Sequence, residues 1–360
     1  MKIALLLSGG VDSSVALRLL KEAGHDVTAF YIKIWLEDEL AYLGNCPWEE
    51  DLKYAREVTE QAGVPLEVIS LQKEYWDTVV AYTIRELKAG RTPNPDMLCN
   101  QQVKFGLFFE KAGKGFDKIA SGHYAEVEES GTSSSGGKIF HLKRSPDPVK
   151  DQTYFLAYLT QLQLSRIIFP IGMYAKSEIR EMAKKFDLPS KDRKDSQGIC
   201  FLGSIKFSDF VKHHLGTKTG DIIEISSGKK LGEHEGFWYY TIGQRHGIKL
   251  SGGPWFVVKK DIEKNIVYVG GEGVIPSRKL FKFSVESVNW NAVELTESRE
   301  LGVRIRHGGA IYPATIEPEQ DGNTVRVRLK EPRYDLAPGQ FAVFYDGDYC
   351  LGGGVISLMA

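Results

Sequence analysis

Cysteine is scarce: four residues in 360, Cys46, Cys99, Cys200 and Cys350, with no close CxxC pair among them. So sparse a set cannot staple a secreted disulfide scaffold and fits a reducing compartment; the paired short spacings of structural zinc sites are missing as well. Long hydrophobic runs are also absent. Stretches such as Ile3–Leu7 and Val79–Tyr82 fall far short of the roughly 20 residues that cross a bilayer. Nothing resembling a secretory leader or transit peptide stands before the first apolar run, so a soluble, cytoplasmic protein with no membrane association is expected. Nor is there an excess of either charge: 46 Lys and Arg against 47 Asp and Glu leave −1, which gives no overall signal for a polyanionic partner. With 42% hydrophobic and 26% charged residues, disorder is not the main state.

The charge that is present is unevenly placed. Residues 138–218 hold 15 Lys and Arg against 8 Asp and Glu, a basic middle that can attract phosphates or simply form a solvated helical surface. Strand-like and helix-like segments alternate from the start: a buried strand at 2–7, a helix to Leu20, a strand at Val27–Ile34, a helix at 49–62, a strand at Leu66–Leu71, helices at 73–88 and near 100–113, and a strand at Lys118–Ser121. This alternation predicts an α/β domain with a parallel sheet and a crevice at the strands' carboxyl ends. Glu129–Lys138 reads as a hairpin tip, and helices are expected at 151–164 and 176–186. From Gly220 the texture turns to short β-runs, and strands near 280–291, 301–306, 311–317, 324–330 and 340–346 suggest a small antiparallel barrel. Three regions follow: 1–205, a small central domain at 206–275, and a C-terminal β-barrel at 276–360.

The sharpest local signal is Ser8-Gly9-Gly10-Val11-Asp12-Ser13-Ser14 between a strand and a helix. Glycines allow a tight path, exposed amides at a helix N-terminus receive an anion, and the serines add donors. Asp12 would repel a bare phosphate, so Mg²⁺ is expected to accompany a nucleotide there, with Asp12 beside it. The sequence is neither a Walker loop nor a GxGxxG turn. The alternative is a tight βα turn with Asp12 near the helix cap.

Two cysteines have suggestive surroundings. Cys99 ends Asn94-Pro95-Asp96-Met97-Leu98-Cys99 at the expected start of a helix, where thiolate character is favoured; Asp96 could accept a proton. Cys200 lies in the glycine-flanked run Asp195–Gly203, downstream of Lys191, Arg193 and Lys194, surroundings that favour an accessible thiolate. Either cysteine alone could be structural. Together with nucleotide activation they suit sulfur transfer, one thiol carrying the sulfur and the other releasing it. Cys46 and Cys350 lack such context and read as structural.

The SGGVDS loop resembles that of the N-type ATP-pyrophosphatases, which transfer AMP to an acceptor oxygen. Both cysteine motifs join it, with Gly122-His123-Tyr124, Lys150-Asp151-Gln152, Tyr240-Thr241-Ile242-Gly243-Gln244-Arg245-His246-Gly247 and Pro338-Gly339-Gln340. With this ordered set the whole chain resembles the tRNA-specific 2-thiouridylase family. The resemblance implies an adenine-nucleotide α-hydrolase-like sheet binding ATP as cosubstrate through residues 8–14 and Gly122, with Mg²⁺ and no permanent organic cofactor. It implies a persulfide on Cys200 resolved by Cys99, and a target base near Asn94, Pro95 and Asp96, with Asp96 as acid/base or base-positioning residue. It places tRNA contacts at His123, Lys150, Asp151, Gln152, Arg306, His307 and Gln340. The implied partners are tRNAs for Lys, Glu and Gln, a cysteine desulfurase or sulfur-relay protein, and a cellular reductant. Plainer readings stand beside these: His123 in a turn network, Asp151 as a helix cap, Arg306 on an exposed strand face, and Trp238, Tyr239 and Tyr240 as core. A ligase for a small metabolite, an RNA thiolase acting at another position and a noncatalytic RNA-binding module are the rival functions.

Overall fold

A computed structural model describes residues 1–34, 47–132, 136–147, 149–194, 206–273 and 280–358 of the chain. The apolar run at the start forms β1 (Lys2–Leu6), whose last four residues are buried, as a strand covered on both faces requires. Beside it lie β2 (Asp26–Lys33), β3 (Leu66–Ser70), β4 (Lys118–Ser121) and the short β7 (Ile167–Ile168), all parallel, in the order β3-β2-β1-β4-β7. The chain runs outward through β2 and β3 on one side of β1 and resumes with β4 on the other. A ligand crevice therefore opens at the carboxyl ends of β1 and β4, where the strand order reverses. Helix Val11–Glu22 buries Val11, Val15, Leu17 and Leu20, and carries Asp12 in its first turn and Lys21 in its last, both favourable to the helix dipole.

Several expected helices are built differently. The segment 73–88 is helical throughout but passes through a π-turn at Trp76–Val80, and a second π-stretch, Cys99–Leu107, follows a first turn at Pro95–Leu98. The expected helix over 151–164 is two short ones, Thr153–Leu156 and Gln161–Arg166. Thr160 restarts the chain as a capping box, its hydroxyl accepting from the Gln163 amide and its own amide donating to the Gln163 side chain, a local stop-and-start that outweighs helical periodicity. Helix Phe207–Leu215, not anticipated from the sequence, buries Phe210 and Val211.

The central strands β8 (Gly220–Glu224), β9 (Lys230–His234), β10 (Trp255–Asp261) and β11 (Ile266–Gly271) form one sheet over a core of Ile222, Phe237, Ile248, Val257, Val267 and Val269. Phe237 is core and Trp238 and Tyr240 pack against it, so these aromatics are packing residues rather than a free stacking surface. The last region holds β12 (Leu280–Trp290), β13 (Arg299–Arg304), β14 (Tyr312–Pro318), β15 (Val325–Arg333), β16 (Phe341–Asp346) and β17 (Tyr349–Ser357). They pair antiparallel in the order β12-β15-β14-β13-β16-β17, and β17 returns to β12, closing a six-stranded barrel. Along β15, Val325, Val327 and Leu329 point inward and Arg326, Arg328 and Lys330 outward. Burying each inward side chain is worth roughly 1.5–3 kcal/mol, whereas exposed pairs such as Lys330–Glu300 give about 0–1 kcal/mol; the barrel is held from inside. Strand β17 escaped the sequence reading because Gly352-Gly353-Gly354 suppresses a strand signal. A Cβ at Gly352 would lie 2.0 Å from the Asn289 carbonyl oxygen, so closure itself demands glycine there.

The hairpin β5 (Ala125–Thr132) and β6 (Lys138–Arg144) leaves the first region and adds to the barrel edge, Leu142 opposite Cys350. A buried ion cluster strengthens that junction. Asp151, 4% exposed, takes Arg304 at 2.9 Å and Arg144 at 3.0 Å on one oxygen, and the Thr153 amide and hydroxyl on the other. At Asp151, where a tRNA contact is expected, the carboxylate itself is enclosed, capping Thr153 and neutralising two arginines. Removing one partner of such a cluster leaves a buried charge uncompensated, at a cost of about 3–5 kcal/mol. Asp151→Ala should therefore lower the unfolding free energy obtained from chemical denaturation by that much in the absence of any RNA, and an unchanged value would return Asp151 to the surface.

Candidate active site

The loop after β1 is shaped by its own side chains. Ser13 Oγ lies 3.2 Å from both the Ser8 amide and the Ser8 hydroxyl, and Ser14 Oγ donates to the Gly10 carbonyl at 2.8 Å. Val11 is core and can offer an anion only its backbone, while Ser14 is fully buried with both its amide and its hydroxyl on the Gly10 carbonyl. Ser8, Gly10 and Asp12 face outward to different degrees. Gly9 is at φ +74, and a Cβ there would meet the Asp51 carbonyl oxygen at 2.2 Å; no other residue fits. Gly122, directly after β4, is also tightly approached: its missing Cβ would sit 2.8 Å from the Ser13 amide nitrogen. The first amides of helix Val11–Glu22 thus point into the β1/β4 crevice with no side-chain cap over them, an arrangement that receives phosphate.

Asp12 does not stand alone. Its Oδ1 accepts from Lys176 Nζ at 2.6 Å and from the Tyr124 hydroxyl at 2.8 Å. Lys176 opens helix Lys176–Lys185, where a cation opposes the helix dipole; that misplaced charge was the sequence signal for a residue the sequence reading missed. The Gln152 side chain accepts from the Tyr124 amide at 2.9 Å, so this expected tRNA contact orients the tyrosine that holds Asp12. On the other side of the loop, Arg193 donates to the Gly9 carbonyl at 3.0 Å and to Asp51 at 2.7 Å. Lys191 pairs with Asp187.

Across the crevice, the Arg91–Asp96 loop is gripped from three directions. Arg91 forks onto Glu86 at the end of the preceding helix. The Thr92 hydroxyl meets that of Thr241 from the central domain at 3.2 Å. From the barrel, the Pro338 carbonyl takes the Thr92 amide at 2.8 Å, and Gln340 Nε2 donates to the Thr92 and Pro93 carbonyls at 3.1 and 3.2 Å. The side chain of Gln340, an expected RNA contact, is thus occupied with this loop. Arg306 is similarly engaged, donating to the carbonyls of Ile242 and Asp335 at 2.6 and 2.7 Å. His307 remains exposed, its ring 4.3 Å from that of Phe155. Partial desolvation lowers its pKa and the positive charge of Arg304 adds to this, while the charges of Asp96 and Asp151 oppose.

Cys99 lies one turn past Asp96 and is 1% exposed. Burial pushes its thiol up to about 11, with Asp96 adding to the rise and Lys104 and Tyr75 opposing it. The expected thiolate at a helix start is corrected: a preceding turn and full desolvation remove the advantage of the helix end. His123 accepts from or donates to Ser121 at 2.8 Å and sits against Phe105 and Phe169, the turn network that the plainer reading describes. Burial holds it neutral, helped by the positive charge of Lys104. Lys104 thus bears on both Cys99 and His123, and it too was missed, being one lysine in an otherwise unremarked helix. Lys150 is half-exposed nearby, its amide held by Asp147. Cys350 is buried, its thiol pushed up to about 12 by burial, in keeping with a structural role. Cys200 and Cys46 lie outside the described residues. Among the described residues no group of three or more His, Cys, Asp or Glu could hold a metal, and no helix is long and apolar enough to cross a membrane.

Known proteins match this chain along its length. The family model described as the tRNA methyl transferase HUP domain matches residues 1–204, that of the tRNA methyl transferase PRC-barrel domain residues 208–271, and that of the Aminomethyltransferase beta-barrel domain residues 281–356. The tRNA-specific 2-thiouridylase MnmA of Parabacteroides distasonis is 48% identical over 365 residues, covering 99% of both chains. MnmA 2 of Bacteroides fragilis is 46% identical, covering 99% of this chain and 100% of its own, and MnmA of Porphyromonas gingivalis 45%, covering 99% of both. Identity at this level from end to end, over a sheet that turns its phosphate loop into the β1/β4 crevice, leaves one assignment: the chain belongs to the tRNA-specific 2-thiouridylase family.

Proposed function

We propose that this chain replaces the O2 of a wobble uridine in tRNA with sulfur, using ATP to activate the base. The observation that carries the reading is the continuity of the crevice. Gly122 lies against the phosphate-loop amides, and its neighbour His123 packs on Phe105, which stands on the same helical stretch as Cys99. Triphosphate, base and thiol can therefore meet under one cover. The family models are described by methyl transfer, but methyl transfer has no need of an ATP loop, whereas an oxygen at C2 must be made a leaving group before sulfur can displace it. The target must also be unpaired or turned out of a stem, as an anticodon base is.

ATP would lie across residues 8–14, its phosphates on the amides of Val11, Asp12 and Ser13. Mg²⁺ suits this site: it binds through one or two carboxylates together with substrate phosphates, and only Oδ1 of Asp12 is engaged by Lys176 and Tyr124. When bound, the ion supplies charge neutralisation of the triphosphate. Lys176 would then be released from Asp12 toward the phosphates. Uridine O2 attacks the α-phosphorus, pyrophosphate leaves, and the base carries AMP through that oxygen. Sulfur from a persulfide on Cys200 adds at C2 and AMP departs with the original oxygen. Cys99, losing its proton to Asp96, attacks the Cys200 sulfur, forming a Cys99–Cys200 disulfide as the terminal sulfur leaves; an external dithiol reduces the bond. The sulfur comes from a cysteine desulfurase or relay protein, and the tRNAs for Lys, Glu and Gln are the acceptors this reading names. Asn94, Pro95 and Asp96 would meet the base, with His123, Lys150 and His307 beside the RNA.

Unmodified tRNA, ATP, Mg²⁺ and a labelled sulfur donor should yield labelled 2-thiouridine by nucleoside mass spectrometry. Cys200→Ser should abolish the label while retaining tRNA binding, and Cys99→Ser should still release pyrophosphate without normal sulfur release; undiminished thiolation in both defeats the thiol roles. Lys176→Met should slow pyrophosphate release by roughly 10²–10³-fold, the scale of losing one preorganised charge at a transition state, with tRNA affinity retained; a wild-type rate would remove Lys176 from the chemistry. In the free enzyme, a thiol pushed up to about 11 is ionised to roughly one part in a thousand at pH 8. Alkylation of Cys99, followed on its peptide, should therefore be far slower than that of free cysteine and rise with pH up to about 11. A plateau near pH 8 would contradict the buried, neutral thiol.

A further inference from the structure

We infer that Arg245, His246 and Lys249, around a cavity of about 500 Å³ in the central domain, form a phosphate subsite for the RNA strand flanking the reacting uridine. The inference rests on tRNA being the substrate and adds a place on the protein that holds it. All three side chains are exposed, and Trp255 forms a wall of the cavity over the buried Ile248. Two other exposed cations, by contrast, are paired: Lys230 with Asp221 and Glu233, and Arg299 with Asp346. Among the described residues neither Arg245 nor Lys249 makes an ion pair; the Arg245 guanidinium instead lies over the Phe256 ring, 5.9 Å from its centre. Unpaired positive charge around a concave surface attracts an anion.

The cavity is built rather than incidental. Gln244 braces the loop from within, accepting from the Thr241 amide and donating to the His246 carbonyl, both at 2.9 Å. Two backbone hydrogen bonds to Val257 fasten the loop to β10. Lys249 sits at φ +59, a left-handed conformation that Gly or Asn adopts at little cost and lysine does not; a charged side chain kept there points to a use for the charge. The loop also starts at the right place. Thr241 touches Thr92, two residues before Asn94, and four residues from Thr241 to Arg245 span at most about 14 Å. A strand whose base lies at Asn94–Asp96 would pass this subsite within a few nucleotides.

The test compares wild type with Arg245→Gln/Lys249→Asn, the asparagine chosen to keep the left-handed backbone, and with Lys230→Asn as a control for a paired cation. Binding of unmodified tRNA is measured across a salt series, with thermal unfolding to show that each variant is folded. The double variant should bind about tenfold more weakly near 0.15 M salt, with the slope of log K against log salt reduced by about one for each lost contact. Its KM for tRNA should rise by the same factor with kcat unchanged, and the control should match wild type. A folded double variant with wild-type affinity and salt slope overturns the subsite. Weakened binding in a protein that forms no 2-thiouridine even as wild type would uphold the subsite and sink the function reading instead, so the two fail separately.

Discussion

Two backbone carbonyls, those of Thr92 and Pro93, are the point on which the arrangement turns. They receive the Gln340 amide from the barrel, while the same short loop meets the central domain at Thr241 and the first domain through Glu86. Each of these hydrogen bonds contributes only about 0.5–1.5 kcal/mol net, small beside the apolar cores of the sheet and barrel. Their value is positional. They fix Asn94–Asp96, and through them the turn leading to Cys99, so that the three regions meet at one loop.

Within that crevice the charges are arranged to wait. Lys176 and Tyr124 hold Asp12 on one oxygen, and Cys99 is neutral because burial dominates over the nearby lysine. A thiol ionised at rest would compete for any sulfur brought to the site before a base was activated. A desolvated thiol beside a carboxylate reacts only once its surroundings change, which suits a step that must come last.

Much of this was legible in the sequence where local chemistry and global position agree. The phosphate loop, the parallel β-alternation and the barrel's inward-outward pattern in β15 follow from glycine placement and periodicity, and the structure has them. What was hidden depends on contacts distant in sequence. Asp151 has the composition of an exposed helix cap, and only the approach of Arg304 from the barrel makes it a buried ion. Gln340 and Arg306 look like free RNA-binding groups until the loops they tie are folded beside them. Lys104 and Lys176 are ordinary lysines in sequence, and Gly352-Gly353-Gly354 hides a strand because closure of the barrel, not strand propensity, selects glycine there.

The account stands or falls on adenylation of the base through its own oxygen. tRNA carrying ¹⁸O at C2 of the target uridine, converted with ATP and the sulfur donor, should release AMP heavier by one ¹⁸O, as mass spectrometry of the nucleotide products would read. Label recovered in water or in pyrophosphate, with unlabelled AMP, would contradict it.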